Sequence, residues 1–552
     1  MKLSKFEVVM VLTSLTLFGC GGGGSSGSSS GSINETVTIT QTPQVESLGI
    51  AKSIHTKVSL GETPKDVYIL LSNYADTSGS VEIKQSNKRV VKKETSSHLD
   101  KQLISKIKHA PEYVEAFRSN IQHYLTQKSE EKTVDKKITD QAVKKEAVNT
   151  AKAFYLDVSA TDATLKKVVS ASTVYGSKRL NIWVSNDSFG MTCPKVKCVT
   201  QPMVNALANT FLRIGGDNDI YDWVTNIYGP EWGAHNNSNL IPQTNEINIL
   251  LTDIDNDNSS TGGVIGYFHP KNNFLRSVSS TSNENIMLYV DAILFANGNG
   301  GWSIDDFWPK EIVSTLAHEF QHMIHFYQKS ILLTNDATDV WINEMLAEST
   351  EDLIASKIRH SGSRGVLYTV GSAGESGNAN GRYPLFNANN RLSLTTWNGQ
   401  LANYSTVNAF GAFLLRNYGG AKVLHDIMHN GFTDAQAVVF AVNQTPKGAG
   451  KTFNTLLKEW GTAVLLSDNN FLGENLPRYN TGGYLPNLFN NSQYNIGSVN
   501  FFNYNPQPLT SAATGTIQNQ GNYYYKVGTG LTGDIDISLK LHNQTEATLI
   551  VK

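Results

Sequence analysis

Thr315-Leu316-Ala317-His318-Glu319-Phe320-Gln321-His322-Met323-Ile324-His325 is the stretch whose reading decides the rest of the chain. It contains H-E-x-x-H, a spacing that sets two imidazoles on one helix face with a carboxylate beside them. Four residues of helix bring His322 nearly over His318, about 6 Å along the axis. Both rings can then reach one zinc ion, while Glu319 projects to the side, where it can hold a water. Trp308-Pro309 stands where a helix start tolerates proline. Ile312, Val313, Leu316, Phe320, Met323, Ile324 and Tyr327 recur at helical spacing, which predicts a largely buried helix. His325 shares the ligand face but lies about 10 Å beyond His318, too far for a common ion. It is expected at a helix contact or along the cleft.

The five-residue pattern alone is a weak signal. A second segment strengthens it: Val340-Trp341-Ile342-Asn343-Glu344-Met345-Leu346-Ala347-Glu348. Glu344 comes 22 positions after His322, enough for one helix to end and a second to return a carboxylate to the metal. Two histidines, one glutamate and a water make a tetrahedral zinc site with one exchangeable position. Glu348, one turn after Glu344, is the expected acceptor for the outer N–H of a zinc-bound histidine.

These two segments resemble the glutamate-zincins, thermolysin-like peptidases whose third ligand sits in an Asn-Glu pair on the next helix. The closer resemblance is to the hyicolysin family of bacterial zinc metallopeptidases, over about residues 175–468. It implies an α+β fold: a two-lobed unit with a mixed-sheet upper lobe, a helical lower lobe and a cleft between them. It also implies hydrolysis of peptide bonds in proteins, with Glu319 as general base toward a zinc-activated water, and endopeptidase action in an open cleft. In glutamate-zincins an edge strand before the active helix pairs with the substrate backbone, and 285–295 is expected in that role. The loop 328–340 holds no tyrosine. Tyr404 lies 60 residues beyond Glu344; its resemblance in position to the oxyanion-stabilising tyrosine of some related zinc aminopeptidases implies that role, against a plain packed tyrosine at a helix start, with His360 and His425 as lesser candidates. A surface-anchored binding protein or adhesin on the same scaffold, and an aminopeptidase, are the alternative readings.

Elsewhere the chain carries export signals. Lys2 and Lys5 precede an apolar run, 8–18, that is too short to span a bilayer. Leu17-Phe18-Gly19-Cys20 looks like a lipoprotein signal, so Cys20 is the expected lipid anchor and 1–19 the leader. The Gly/Ser run that follows suits a flexible tether, giving 20–32 as anchor and tether. A bacterial cell-envelope address follows, or secretion if the lipid signal is unused. Cys193 and Cys198 read as a local disulfide in an exported chain. A metal-binding pair is the rival, but the three cysteines of the chain leave no partners for it.

The 46 basic and 48 acidic residues nearly cancel, which gives nucleic-acid binding no support. Protein or peptide substrates and a monomer are expected. Alternating stretches predict a small β unit at 33–87. Residues 88–150 are rich in lysine and glutamate, with helical pieces at 99–107 and 112–125. A solvated helical linker and a propeptide both fit. Strands at 179–184 and 248–253 and a helix at 203–214 fill the upper lobe, 151–307. Helices continue through 308–470, and 471–552 reads as a β-rich appendage that can pair with the N-terminal one. Asp253-Ile254-Asp255-Asn256-Asp257-Asn258 alternates carboxylates like half a calcium loop. It lacks the glycine and final glutamate of an EF-hand, so Ca2+ at Asp253, Asp255 and Asp257 stands against a plain acidic turn.

Overall fold

A computed structural model describes residues 31–85, 107–108, 110–127, 146–215, 219–334, 336–360, 364–365, 371–372, 381–467, 476–479, 490–491, 494–501 and 513–552. The leader, Cys20, the tether up to residue 30 and all of the expected helix over 99–107 except Ile107 lie outside the described residues, and Ile107 is in a short strand. Among the described residues no helix is long and apolar enough to cross a membrane.

The fold is α+β. A six-stranded sheet runs in the order Gly266–Phe268, Met287–Asp291, Glu246–Thr252, Gly176–Ser185, Ala160–Thr173, Ala151–Tyr155. Glu246–Thr252 lies parallel to both its neighbours. All seven of its residues are buried, as a parallel strand covered on both faces requires. The remaining pairs are antiparallel, so the sheet is mixed.

The expected edge strand is corrected here. Met287–Asp291 is internal, because Gly266–Phe268 pairs along its outer side. A three-residue strand leaves too short an alternation to read in sequence. Gly266 is needed at this edge: a Cβ there would sit 3.0 Å from Tyr289 O and 3.3 Å from Thr315 Cγ2. The strand can therefore lie close under the H-E-x-x-H helix.

That helix spans Phe307–His325 and is buried over most of its length. It does not give way to a loop at Gln328; a π-helical stretch, Phe326–Thr334, continues it. Buried Lys329 holds this stretch, donating to Ile427 O at 2.9 Å and Asn430 O at 2.7 Å. The return helix, Val340–Ile358, ends at Arg359 in the left-handed region, φ 54°. It packs on Leu401–Asn417 through Gly411, where a Cβ would meet Ser349 Oγ at 2.0 Å. A side chain at 411 would have to turn Ser349 Oγ away and press on Met345. Ala421–Met428, Ala435–Asn443 and Phe453–Leu465 complete the helical part.

The two β-rich ends form one unit. Five strands run Ser32–Thr38, Ser53–Ser59, Asp534–Lys540, Gly79–Gln85, Ala513–Ile517. Four more run Asn522–Leu531, Lys65–Asn73, Thr545–Val551, Gln44–Ile50. Each sheet mixes strands from both ends of the chain, and Ile54, Val58, Ile69, Ile537 and Leu549 are buried in the core. Gly461 on Phe453–Leu465 admits Leu70 of this unit, 2.6 Å from where a Cβ would stand.

Candidate metal centre

The H-E-x-x-H helix and the return helix bring three ligand atoms together. His318 Nε2 and His322 Nε2 lie 3.1 Å apart. Glu344 Oε2 is 3.3 Å from the first and Glu344 Oε1 3.4 Å from the second. All three residues are buried.

The outer nitrogens decide the protonation. His318 Nδ1 donates to Glu351 Oε1 at 2.9 Å, and His322 Nδ1 donates to Asn343 Oδ1 at 3.0 Å. Each acceptor oxygen fixes the proton on Nδ1, so in the neutral rings both Nε2 atoms present lone pairs. Two lone pairs and a carboxylate then face one another out of water, an arrangement that repels itself unless a positive charge sits between. Atoms at tetrahedral angles and about 2.0–2.1 Å from one zinc would stand about 3.3–3.4 Å apart. The two Nε2 atoms stand 3.1 Å apart and each has one oxygen of the Glu344 carboxylate at 3.3–3.4 Å, spacings close to those, so the donor set fits zinc.

The electrostatics carry the same demand. Burial alone would lower His318, but Glu344 and Glu351 outweigh it and hold the imidazole well above its ordinary pKa. Burial alone would raise Glu344, yet the two imidazoles hold it well below the carboxylate range. A proton meets the need for positive charge where a metal does not.

Glu319 is 1% exposed and faces the sheet edge. Its Oε2 accepts from Phe268 N at 2.9 Å, and its Oε1 lies 4.0 Å from His318 Nε2. Tyr404, on Leu401–Asn417, is buried beside these groups. Burial, then the negative charges of Glu344 and Glu115, push its phenol well above 10, so it stays a proton donor. His325 is buried and lines a small cavity with His322, Phe326, Ser330, Thr338 and Asn343. His360 is held by Glu311 at 2.7 Å and His425 stacks on His429, so the lesser candidates are engaged elsewhere.

Three expectations change. The outer partner of His318 is Glu351, not Glu348. Arg382 Nε holds both oxygens of Glu348, at 2.8 and 2.9 Å, and Asn408 Nδ2 adds a bond at 3.2 Å. Ser314 Oγ and His318 share Glu351 instead. The turn expected to hold calcium is closed by its own backbone and by Lys195. Asp253 Oδ1 caps Asp257 N at 3.2 Å, and its Oδ2 takes Lys195 Nζ at 2.7 Å. Lys195 also reaches Asn256 Oδ1 at 3.0 Å, so an ammonium supplies the charge expected from a cation. Third, the edge strand that meets Glu319 is Gly266–Phe268. Cys193 and Cys198 form a disulfide that closes a short loop.

Besides Glu351, two partners were missed in the sequence. Asn343 is adjacent to Glu344, and its carbonyl could have been inferred from helical offset. Arg118 could not: it lies on Glu112–Ser119, and its Nη2 is 3.1 Å from Glu319 Oε2.

The outer partners give a direct test. Glu351→Ala should weaken zinc binding about 10–100-fold, because the His318 ring loses its orienting acceptor. Glu348→Ala should act on stability instead, costing about 3–5 kcal/mol as a broken buried ion pair. Zinc titration and a denaturant melt separate the two; equal zinc affinity in parent and Glu351→Ala would refute the assignment.

Known proteins share sequence with the part of the chain that carries these helices. The chain is 26% identical over 282 residues to the neutral metalloprotease ShpI of Staphylococcus hyicus, covering 50% of this chain and 54% of that protein. The chain thus spans about half the length of that relative. The Peptidase M30 family model matches residues 157–527, which include both helices and His318, His322 and Glu344. On that match the chain belongs to the Peptidase M30 family, the hyicolysin family.

Proposed function

We propose that the protein is a zinc-dependent metallopeptidase that cuts peptide bonds within proteins. The observation that carries this reading is the buried triangle of His318 Nε2, His322 Nε2 and a Glu344 carboxylate, with both Nδ1 protons already committed. His318, His322 and Glu344 would hold the zinc ion, which would supply Lewis acidity and lower the pKa of water there from 15.7 toward about 7.

The chain's own groups do the rest. Glu319 accepts the proton of the attacking water and passes it to the leaving nitrogen. Its bond from Phe268 N keeps the carboxylate aimed while leaving Oε1 for that water. Tyr404, kept protonated by its surroundings, donates to the carbonyl oxygen as charge develops there. The sheet edge at Gly266–Phe268 offers main-chain groups to an extended substrate, the physics of strand addition. The fold is read as a two-lobed zincin, with the sheet above the centre and the helices below. On its sequence signal alone, the protein is placed in the bacterial cell envelope, tethered through Cys20.

Zinc-loaded protein should hydrolyse casein, lose the activity to a zinc chelator, and regain it when zinc is returned. It should also cut an N-blocked peptide internally. Casein left intact at full zinc occupancy would favour a binding protein on this scaffold. Cleavage confined to free N-termini would make it an aminopeptidase.

A further inference from the structure

The charged N-terminal segment enters the centre. Residues 110–127 form two short helices, Glu112–Ser119 and Ile121–Thr126, broken at Asn120. Arg118 is the tip of this piece. Its Nη2 is 3.1 Å from Glu319 Oε2 and donates to Phe268 O at 2.8 Å. Its Nη1 is 2.7 Å from Glu115 Oε1 and 3.9 Å from Glu344 Oε1. One guanidinium thus touches the general base and the carbonyl of the edge strand, and it faces the third ligand.

The segment is seated, not draped. Phe117 stacks on Tyr124 and meets His269 and Phe274 edge-on. Ile121 and Leu125 are buried. At the far end, Asn239 Nδ2 donates to Tyr124 O at 2.9 Å and Gln127 O at 2.8 Å. Before it, the backbone of Ile107–Lys108 pairs in parallel with Gly263–Val264.

The geometry points to an internal inhibitor: residues 110–127 occupy the substrate cleft, with Arg118 as the plug. This rests on the peptidase reading, since a plug needs a site to close. Arg118 neutralises the carboxylate of the base through its Oε2 and takes the backbone acceptor an extended substrate would use, Phe268 O. A peptide cannot pair with Phe268 O while the guanidinium holds it. Glu115 completes the fit by neutralising the arginine from its own helix. Substrate and plug therefore exclude each other.

Exclusion predicts direction. A cleft open one time in ten loses about tenfold in apparent affinity. Arg118→Ala in the full zinc-loaded chain should therefore raise kcat/KM on an internally quenched peptide about tenfold. Asn239→Ala, which loosens the far end without touching the centre, should raise it in the same direction. It stands in should Arg118→Ala fail to fold. A second readout needs no turnover: a peptide hydroxamate bound at the centre should speed amide hydrogen exchange across 110–127. Greater protection of 110–127, or a lower rate in both variants, would overturn the plug and make Arg118 a substrate-binding group. Equal rates in the parent and both variants would overturn the plug while leaving the peptidase intact. No cleavage by any zinc-loaded form would overturn both.

Discussion

Glu319→Gln is expected to keep its zinc and to lower kcat/KM by about 10²–10⁴-fold, the range for loss of a general base. The two side chains have the same shape, so packing is preserved at this buried position. Phe268 N can still donate to the amide oxygen where it now donates to Oε2 at 2.9 Å. Zinc should stay because Glu319 is not among the converging ligand atoms. What disappears is a group able to take a proton from water and return it to nitrogen. The loss should fall on kcat more than on KM, because the proton moves in the transition state. Metal analysis and steady-state kinetics on the same sample decide it. Activity near the parental level at full zinc would move the base to another residue. The substitution also removes the charge opposite Arg118, 3.1 Å away, so hydrogen exchange over 110–127 should rise with it.

How much of this was legible depends on distance along the chain. Convergence of His318 and His322 follows from helical geometry alone, and Glu344 follows from a short connection between two helices. The choice between Glu348 and Glu351 does not. Both lie on the same face of Val340–Ile358, and the deciding partner, Arg382, comes from a third helix. Helical offset locates candidate carboxylates; tertiary packing assigns them. Strand Gly266–Phe268 escaped because three residues carry almost no periodic signal. The β unit at the ends draws single sheets from strands over 400 residues apart, such as Ser53–Ser59 and Asp534–Lys540, which local patterning cannot register. Arg118 is the strongest case. Its surroundings in sequence read as a solvated charged stretch, and only the fold shows the guanidinium against Glu319.

Glu344→Ala should cost more than the outer partners do, lowering zinc affinity beyond the about 10–100-fold typical of them. The carboxylate supplies the negative charge of the site, and its surroundings hold it ionised: the imidazoles outweigh burial and keep it well below the usual range. A depressed carboxylate contributes stability above its ordinary pKa and loses it only as pH falls through the lowered value. At neutral pH the charge is therefore fully present in the parent and missing in the variant. Two neutral imidazoles 3.1 Å apart then remain, a two-ligand site for a metal that needs three protein ligands. A thermal melt gives an independent reading. Zinc at about 1,000 times its Kd stabilises a protein that binds it only when folded by about 4 kcal/mol. The parent should show that rise in Tm on adding zinc, and Glu344→Ala should show little of it at the same concentration. Equal zinc content and an equal rise in the variant would mean that another residue is the third ligand, and the assignment of Glu344 would fall.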